Sequence, residues 1–349
     1  MKRFTILITA ILSLYACSSD EDPAQNNDND SKIESSTLFE AFTSTSSNIL
    51  PSINGPFEET LNSPGSLIKI EETYYLFYND YVGGWPPTDI RIGYASSTDL
   101  KNWTRNPTIS LSGEDIDYLN GINEHPSVSS VLVDEEGTIF LYFDVFINGK
   151  GTGVGLATAD NVDGPWDVHD QMVLKPTPGS WDEHGMAASD VVLTDDGYRL
   201  YYGGLMGSIT NPEMAIGMAE SVDGIHWEKH DEPVFSKGTD GAWDSHKVET
   251  PRVLKTGDGW VMAYRSDAGT ATWGDGTGYG IAISTDGIAW ERFQPEAAIH
   301  ENDFGWATIW ATAFYKEQDT YYLFAETDGP PVQGTRINIY SYQGDFFNE

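Results

Sequence analysis

Acidic side chains recur where the sequence predicts that β-strands begin. Glu249 lies in the segment WDSHKVETPRV, directly before a Thr-Pro pair that opens an apolar run. Asp190 precedes it by 59 residues and Glu124 by 125 residues. Carboxylates held close together repel each other, which raises at least one pKa and keeps a proton available near neutral pH. If these strand starts meet in the fold, they form a site that can protonate a leaving-group oxygen.

Other side chains that suit sugar binding lie at the same predicted strand ends. His125, His184 and His246 are 59 and 62 residues apart, so an imidazole could recur at one place in three successive units. These histidines suit hydrogen bonds to sugar hydroxyls, proton donation, a divalent metal, or a structural role in the shared WDEH and WDSH loops. The other predicted substrate-binding residues are Asp80, Asp144, Trp310 as a stacking platform, and Arg252 and Arg265 as rim cations for a carboxylate or sulfate, or paired internally with acids.

A repeat of about 62 residues sets these distances. Four segments pair a β-rich run with a polar turn and a Trp, as in SVDGIHW and STDGIAW, and a hairpin pattern precedes each of them. A fifth hairpin, TAFYKEQDTYYLFAETD, leads into RINIYSYQ without a Trp, and five such units fill residues 37–349. The repeated tryptophans are Trp103, Trp166, Trp227 and Trp290, and we expect them to pack between units.

The repeat predicts an all-β fold, a five-bladed β-propeller with four antiparallel strands per blade. A β-sandwich or an open solenoid could be built from similar units, but a solenoid should show distinct capping repeats. In an antiparallel hairpin the start of the first strand lies beside the end of the second, so these ends from all units should share one face of the ring. Counting back from the second strands aligns Glu249 with Ser63, Ala187 and Glu124, if the second unit carries a two-residue bulge.

Composition excludes several classes of protein. The chain has 19 Lys and Arg against 54 Asp and Glu, a formal charge of −35, which repels the phosphates on which nucleic-acid binding depends. Its 13% aromatic content is too high for a disordered acidic chain. A single Cys excludes a disulfide framework and a cysteine-based zinc site.

The N-terminal residues are predicted to direct export. Lys2 and Arg3 precede an apolar run at residues 4–15 that is too short for a stable membrane-spanning helix. The run ends in LYAC, which resembles the lipobox of bacterial lipoproteins, so residues 1–16 are predicted to be a lipoprotein signal peptide and Cys17 the lipidated residue. An ordinary secretory signal is the alternative. Residues 17–36 are polar and acidic, are expected to form a disordered tether, and resemble the surface-export signal of Bacteroidetes lipoproteins. The prediction is an exported protein held at the outer membrane by its lipid anchor only, at the cell surface or in the periplasm.

The units ending SSTDLKNW, SVDGIHW and STDGIAW, with the hairpins TYYLFYND and TYYLFAETD, resemble the five-bladed propeller glycoside hydrolases, notably families 43, 32, 62, 117 and 130. The resemblance covers nearly all of the chain after residue 50. It implies cleavage of glycosidic bonds by carboxylates at the starts of the inner strands. Glu249 then matches the blade-four general acid of family 43, and Asp190 resembles the blade-three Asp that tunes this acid and orients the sugar. The chain departs from the pattern in blade one, where Asn62-Ser63-Pro64 stands in place of an essential Asp.

These observations predict a glycoside hydrolase, exo-acting on oligosaccharides from plant or algal polysaccharides. Glu249 would be the general acid, assisted by Asp190, with a base supplied by Glu124 or a neighbouring acid. Because Ser63 cannot act as a carboxylate, a catalytically silent glycan-binding lipoprotein is one alternative, and a polysaccharide lyase that uses His and Arg on a uronate is another. The substrate could be anionic, and the sequence is compatible with a divalent cation such as Ca²⁺ in the central channel.

Overall fold

The computed structural model describes residues 37–44, 48–50, 62–82, 87–119, 123–206, 213–267, 277–306, 308–329 and 332–348. Within these ranges the chain forms β-strands, two single-turn 3-10 helices at Gly113–Asp115 and Glu301–Asp303, and no α-helix. The predicted all-β fold is confirmed. None of the described segments is a helix long and apolar enough to cross a bilayer. The predicted signal peptide, the tether and Cys17 lie outside the described residues.

The strands follow one another as antiparallel meanders, each opening with a long inner strand. Both sheet faces are buried along much of the hairpins, since all seven residues of the strand Trp260–Ser266 and the first seven of the nine in Ile139–Ile147 are buried. In chain order the strands are β1 (Glu40–Ala41), β2 (Asn62–Ile70), β3 (Thr73–Val82), β4 (Asp89–Ser97), β5 (Thr104–Arg105), β6 (Glu124–Val133), β7 (Ile139–Ile147), β8 (Lys150–Ala159), β9 (Asp167–Val168), β10 (Met186–Thr194), β11 (Gly197–Leu205), β12 (Met214–Ser221), β13 (Glu228–Lys229), β14 (Glu249–Lys255), β15 (Trp260–Ser266), β16 (Gly278–Ser284), β17 (Glu291–Arg292), β18 (Ile299–His300), β19 (Thr308–Glu317), β20 (Thr320–Gly329) and β21 (Val332–Gln343).

Strand pairing groups the five meanders into four sheets. Strands β2 to β5 form one sheet, and β14 to β17 form another, in which β18 also pairs with β16. Strands β6 to β9 and β10 to β13 share a third sheet because Met186 pairs with Thr152 in parallel. The last sheet has the order β1-β21-β20-β19, so its outer strand comes from the N-terminal end of the described chain. This exchange explains why the fifth unit needs no Trp-containing segment of its own.

The inner strands of the five meanders are neighbours in a closed cycle. β2 lies against β6, β6 against β10, β10 against β14, β14 against β19, and β19 against β2. Each inner strand also shifts its register by a bulge, which lies three to five residues before the last paired residue of the strand. The shifts fall between Pro64 and Ser66, Val128 and Ser130, Ala187 and Asp190, Glu249 and Arg252, and Ile309 and Thr312.

The repeated tryptophans pack between meanders, as the sequence predicted. Each ring meets, edge to face, an aromatic ring on the second strand of the preceding meander, with ring centroids 5.8–6.1 Å apart. The pairs are Trp103 with Phe324, Trp166 with Phe77, Trp227 with Tyr142, and Trp290 with Tyr201. Since Trp103 belongs to the first meander and Phe324 to the fifth, the same contact joins the two ends of the array.

A buried arginine joins four of the inner strands. Arg252 on β14 donates from Nε to the carbonyl oxygen of Thr312 at 2.5 Å, and from Nη1 to those of Ser129 at 3.1 Å and Ser189 at 2.9 Å. These carbonyls belong to β19, β6 and β10, and Arg252 is only 4% exposed. The predicted rim position of Arg252 is therefore wrong, because its guanidinium lies in the interior and bonds to main-chain oxygens.

Replacing Arg252 should destabilise the fold strongly. Arg252→Met leaves three buried carbonyls without their donor and leaves nearby buried carboxylates uncompensated, so we expect a loss of about 3–5 kcal/mol in the free energy of unfolding. Lys255→Met is the matched control on the same strand. Its partner is the exposed Asp195, and it should cost less than about 1 kcal/mol. Urea denaturation measures both, and equal costs for the two variants would contradict this role for Arg252.

Candidate active site

Glu249 is the first residue of β14 and lies directly opposite Arg265 on β15. The loop before it is fixed by Asp244, which accepts hydrogen bonds from the Tyr264 hydroxyl at 3.0 Å and from Arg292 Nε at 2.7 Å. Thr250, the next residue, has φ +52°, and Ala188 at the matching place in the bulge of β10 has φ +56°, so this conformation belongs to the bulge.

Glu249 belongs to a buried network of ion pairs. Its Oε1 accepts from Arg265 Nη1 and lies 3.2 Å from Lys247 Nζ. Lys247 Nζ also lies 3.0 Å from Asp267 Oδ2, and Asp267 Oδ1 lies 2.8 Å from His246 Nδ1. The structure thus brings the predicted residues Glu249, Arg265 and His246 together. It adds Lys247 and Asp267, to which sequence reasoning assigned no role.

Trp310 completes one side of this cluster. The Arg265 guanidinium stacks over the Trp310 ring, 4.9 Å from its centroid, and Arg265 Nε donates to the carbonyl of Ile309 at 2.9 Å. Trp310 is half-buried, and its carbonyl accepts a hydrogen bond from the Tyr279 hydroxyl at 2.6 Å. An indole face beside a carboxylate is the arrangement that sugar rings favour, although part of this ring is covered by Arg265.

Glu124 does not occupy the position in its meander that corresponds to Glu249. The bulge in β6 contains one extra residue, not two, and Ser127 is the residue that pairs with Asp144 on β7. Glu124 lies three residues before Ser127, at the start of β6 opposite Ile147, and it is half-buried. The predicted alignment of Glu124 with Glu249 is therefore wrong. The aligned positions in the five inner strands are Ser63, Ser127, Ala187, Glu249 and Ile309, each paired with the corresponding second-strand residue.

Asp144 links the second meander to the third. Its carboxylate accepts hydrogen bonds from the Ala188 N–H at 2.7 Å, the Ser189 N–H at 3.2 Å and the Ser189 hydroxyl at 2.8 Å. Asn79 holds the matching place in the first meander, where its Oδ1 accepts from the Val128 N–H at 2.7 Å. Burial raises the pKa of Asp144 to about 6, against the lowering effects of Ser189 and Arg252. The side chain is thus a buried link with an elevated proton affinity.

Asp80 and Tyr81 lie at the end of β3. Asp80 is fully buried and accepts from the Asn62 amide at 2.9 Å. Burial raises the pKa of the Tyr81 hydroxyl, the Glu326 carboxylate raises it further, and a hydrogen bond with Ser63 lowers it. Sequence reasoning gave Tyr81 no role, although its position beside Asp80 at the end of a second strand could have drawn attention to it.

Asp190 lies after the bulge in β10 and bonds to the neighbouring inner strand. Its Oδ2 accepts from the Val253 N–H at 2.7 Å, as the Ser130 hydroxyl accepts from the Val191 N–H at 3.0 Å in the preceding meander. Burial raises the pKa of Asp190, and Arg252 acts against that rise. The structure therefore places Asp190 where it supports β14, the strand that begins with Glu249.

The three predicted histidines have different surroundings. His125 is buried, which lowers its pKa, and its Nδ1 lies 3.9 Å from Asp89. His184 is exposed beside Glu183, and His246 contacts Asp267. Within the described ranges, no group of three or more His, Cys, Asp or Glu side chains is arranged to hold a metal ion.

Two surface cavities, of about 500 and 580 Å³, lie along the outer parts of the meanders. One is lined by residues such as Leu174 and Trp227, the other by residues such as Tyr198 and Trp260. None of the predicted site residues lines either cavity. The chemistry-bearing side chains thus gather at the inner-strand starts, apart from these grooves.

Comparison with known proteins supports the resemblance seen in the sequence. A family profile described as "beta-1,4-mannooligosaccharide phosphorylase" matches residues 197–330. An "Arabinoxylan arabinofuranohydrolase" of Bacillus subtilis (strain 168) is 30% identical over 132 residues, which are 35% of this chain and 25% of the relative. A "Beta-D-galactofuranosidase xynD" of Aspergillus niger is 30% identical over 243 residues, 65% of this chain and 63% of the relative. The chain thus spans about a quarter of the length of the arabinofuranohydrolase.

Solved structures show the same fold. A "thermostable family-43 glycoside hydrolase" superposes with a TM-score of 0.61 at 15% identity, covering 83% of this chain and 95% of the other protein. An "Exo-1,5-alpha-L-arabinanase" from a bovine ruminal metagenomic library gives a TM-score of 0.56 at 16% identity, covering 82% of this chain and 95% of the other protein. The fold is that of the propeller glycoside hydrolases. The resemblance predicted from the sequence is confirmed, with similarity to families 43, 32 and 130 among the compared proteins.

Asp144→Asn should remove a pH dependence of stability. The folded-state pKa is raised from 3.8 to about 6, so the folded protein binds this proton more tightly than the unfolded chain does. The stabilising contribution is full below pH 3.8 and is lost as the pH rises through about 6, a change of about 3 kcal/mol. The free energy of unfolding of the wild type, minus that of the variant, should fall by this amount from about pH 4 to about pH 8.

Asn79 accepts the corresponding hydrogen bond in the first meander through an amide oxygen, so Asp144→Asn should fold. Asp195→Asn, at an exposed carboxylate, controls for the change of charge. A wild-type minus variant difference that stays constant across the same pH range would contradict the elevated pKa of Asp144.

Proposed function

We propose that the chain is a glycosidase whose reaction takes place where the inner strands begin. The five meanders would be the blades of a five-bladed propeller, with β1 as the fourth strand of the last blade. The closed cycle of inner strands and the packing of Trp103 on Phe324 support this arrangement. The similarity to named glycosidases supports the activity.

The observation that carries the proposal is the environment of Glu249. Both cations contact Oε1, and Oε2 has no hydrogen-bond partner among the residues that the structure describes. The side chain retains 9% exposure, so one oxygen is anchored while the other can meet a substrate. As a general acid, Glu249 would transfer its proton from Oε2, because Oε1 is occupied by the two cations.

The second carboxylate of a hydrolase must come from another position, because Ser63, Ser127, Ala187 and Ile309 fill the other four aligned places. We propose Glu124 for the base, since it is half-buried at a strand start and can reach solvent. Asp144 is less suited to this role because its oxygens already accept three hydrogen bonds from β10.

The charges of the cluster favour a neutral sugar. Arg252 is bound to three carbonyls, and Arg265 is paired with Glu249 and the Ile309 carbonyl. The positive charges of Lys247 and Arg265 are matched by Glu249 and Asp267. Relatives named for arabinofuranose and galactofuranose point to a terminal furanoside, and we propose exo-cleavage of plant or algal oligosaccharides that carry such an end group.

Phosphorolysis is the second candidate. The family profile that matches residues 197–330 is named for a phosphorylase, and these residues include β14 and β15. When phosphate attacks the sugar directly, no protein base is needed to activate water. Glu249 is the single carboxylate among the five aligned positions, and one carboxylate is compatible with phosphorolysis.

The cellular location is a separate proposal. Lys2, Arg3 and the apolar run that follows them, with Cys17 at the end of LYAC, support export and lipid anchoring at the outer membrane. Incorporation of labelled palmitate into the wild type but not into Cys17→Ala, expressed in a bacterial host, would support this proposal.

Glu249→Gln should reduce turnover strongly. The amide keeps the shape of the side chain but cannot transfer the proton, so kcat on the best substrate of an arabinofuranoside, galactofuranoside and mannoside panel should fall about a thousandfold. Asp195→Asn, on the surface, should leave kcat unchanged. Glu124→Gln should also reduce kcat if Glu124 is the base. Unchanged turnover in Glu249→Gln would remove Glu249 from the mechanism, and tight glycan binding without cleavage by the wild type would favour the non-catalytic alternative.

Product analysis separates hydrolysis from phosphorolysis. For a hydrolase, the wild type should release the free sugar at the same rate with and without inorganic phosphate. Mass spectrometry should then show uptake of one oxygen from ¹⁸O-labelled water. A rate that rises with phosphate, with a sugar 1-phosphate as product, would contradict hydrolysis and establish the second candidate.

A further inference from the structure

Lys247 is a buried cation two residues before Glu249. It is 1% exposed, and its Nζ lies between Glu249 Oε1 at 3.2 Å and Asp267 Oδ2 at 3.0 Å. Its main chain is fixed as well, because the Ser266 hydroxyl donates to the Lys247 carbonyl at 2.6 Å. These contacts fix the position of the Lys247 ammonium group between the two carboxylates.

The cost of burying an ammonium group shows why this contact matters. A buried cation is tolerated only when it is paired and hydrogen-bonded, and removing one member of such a pair leaves the others uncompensated. Lys247 balances two carboxylates from different segments, Glu249 at the start of β14 and Asp267 directly after β15. It therefore fixes the strand start relative to the end of the neighbouring strand.

Lys247 and Arg265 approach the same oxygen of Glu249 from different elements. Lys247 comes from the loop before β14, and Arg265 from β15, where the Trp310 ring and the Ile309 carbonyl hold its guanidinium. Two donors on Oε1 fix the rotation of the carboxylate. The direction in which Oε2 points is then set by the positions of Lys247 and Arg265.

We propose that Lys247 is a positioning residue, which anchors Oε1 of Glu249 so that Oε2 is presented to the substrate. This inference rests on the proposed function of Glu249. Lys247 acts through Glu249 and does not itself touch the reacting bond. His246, through Asp267, forms the solvent-facing end of the same network, with Nδ1 2.8 Å from Asp267.

The first test compares Lys247→Met and Lys247→Arg on the best substrate. A misplaced reacting group costs about a hundredfold in rate, so Lys247→Met should lower kcat by that factor with KM changed less than about threefold, and Lys247→Arg should recover part of the loss. Lys255→Met, which changes a surface lysine at the far end of β14, should match the wild type.

The pH–rate profile provides a readout that a purely structural role would not move. Lys247 is one of the two cations that contact Glu249 Oε1, so its removal should displace one limb of the Lys247→Met profile. Movement of the alkaline limb supports the proposal with Glu249 as the acid, and movement of the acidic limb supports it with Glu249 as a base or nucleophile. The proposal that Lys247 positions Glu249 would be overturned by an unchanged profile with unchanged kcat. A change confined to KM would also overturn it.

A second measurement does not depend on activity. A double-mutant cycle of Lys247→Met and Glu249→Gln on the unfolding equilibrium should show a coupling of at least about tenfold in the equilibrium constant. If no substrate is cleaved but this coupling is present, the proposed function fails while the contact stands. Additive effects of the two substitutions would overturn the role of Lys247 whether or not the protein is active.

Discussion

The hydrogen bonds of one buried guanidinium join four of the five inner strands. Arg252 starts on β14 and reaches main-chain oxygens on β6, β10 and β19. Polar links at related positions connect neighbouring inner strands, including Ser66 with Val131 and Ser130 with Val191. These bonds set the spacing of the strand starts, and with it the positions of Glu249 and the groups around it.

Several of the chain's acidic residues are buried and form hydrogen bonds with cations of neighbouring strands. In the third and fourth meanders, a buried Asp before the inner strand bonds to a tyrosine hydroxyl and to a cation from the short outer strand. The first meander uses an amide, Asn62, with Tyr78 and Arg105. Because these acids and cations are paired inside the protein, they hold loops instead of binding an external anion. The members of these sets are Asn62, Tyr78 and Arg105; Asp182, Tyr202 and Lys229; and Asp244, Tyr264 and Arg292.

The repeat predicted much of the fold, because apolar hairpin segments and turns that recur at a period of about 62 residues are visible in the sequence. The positions of Ser63 and Ala187 relative to Glu249 follow from hairpin register alone. The error at Glu124 has a local cause, since the alignment required a two-residue bulge in the second unit and the size of a β-bulge leaves no mark on the sequence pattern. The sequence assigns no role to Lys247, because an isolated lysine usually lies on the surface. Its burial depends on Asp267, which joins it only through tertiary structure.

The most direct measurement is a crystal structure of Glu249→Gln with an uncleaved oligosaccharide bound. The glycosidic oxygen should lie within hydrogen-bond distance of the residue 249 side chain, with a sugar ring near Trp310 and with residue 249 still held by Lys247 and Arg265. A sugar bound only in the outer grooves between meanders, with the inner-strand starts empty, would contradict the account.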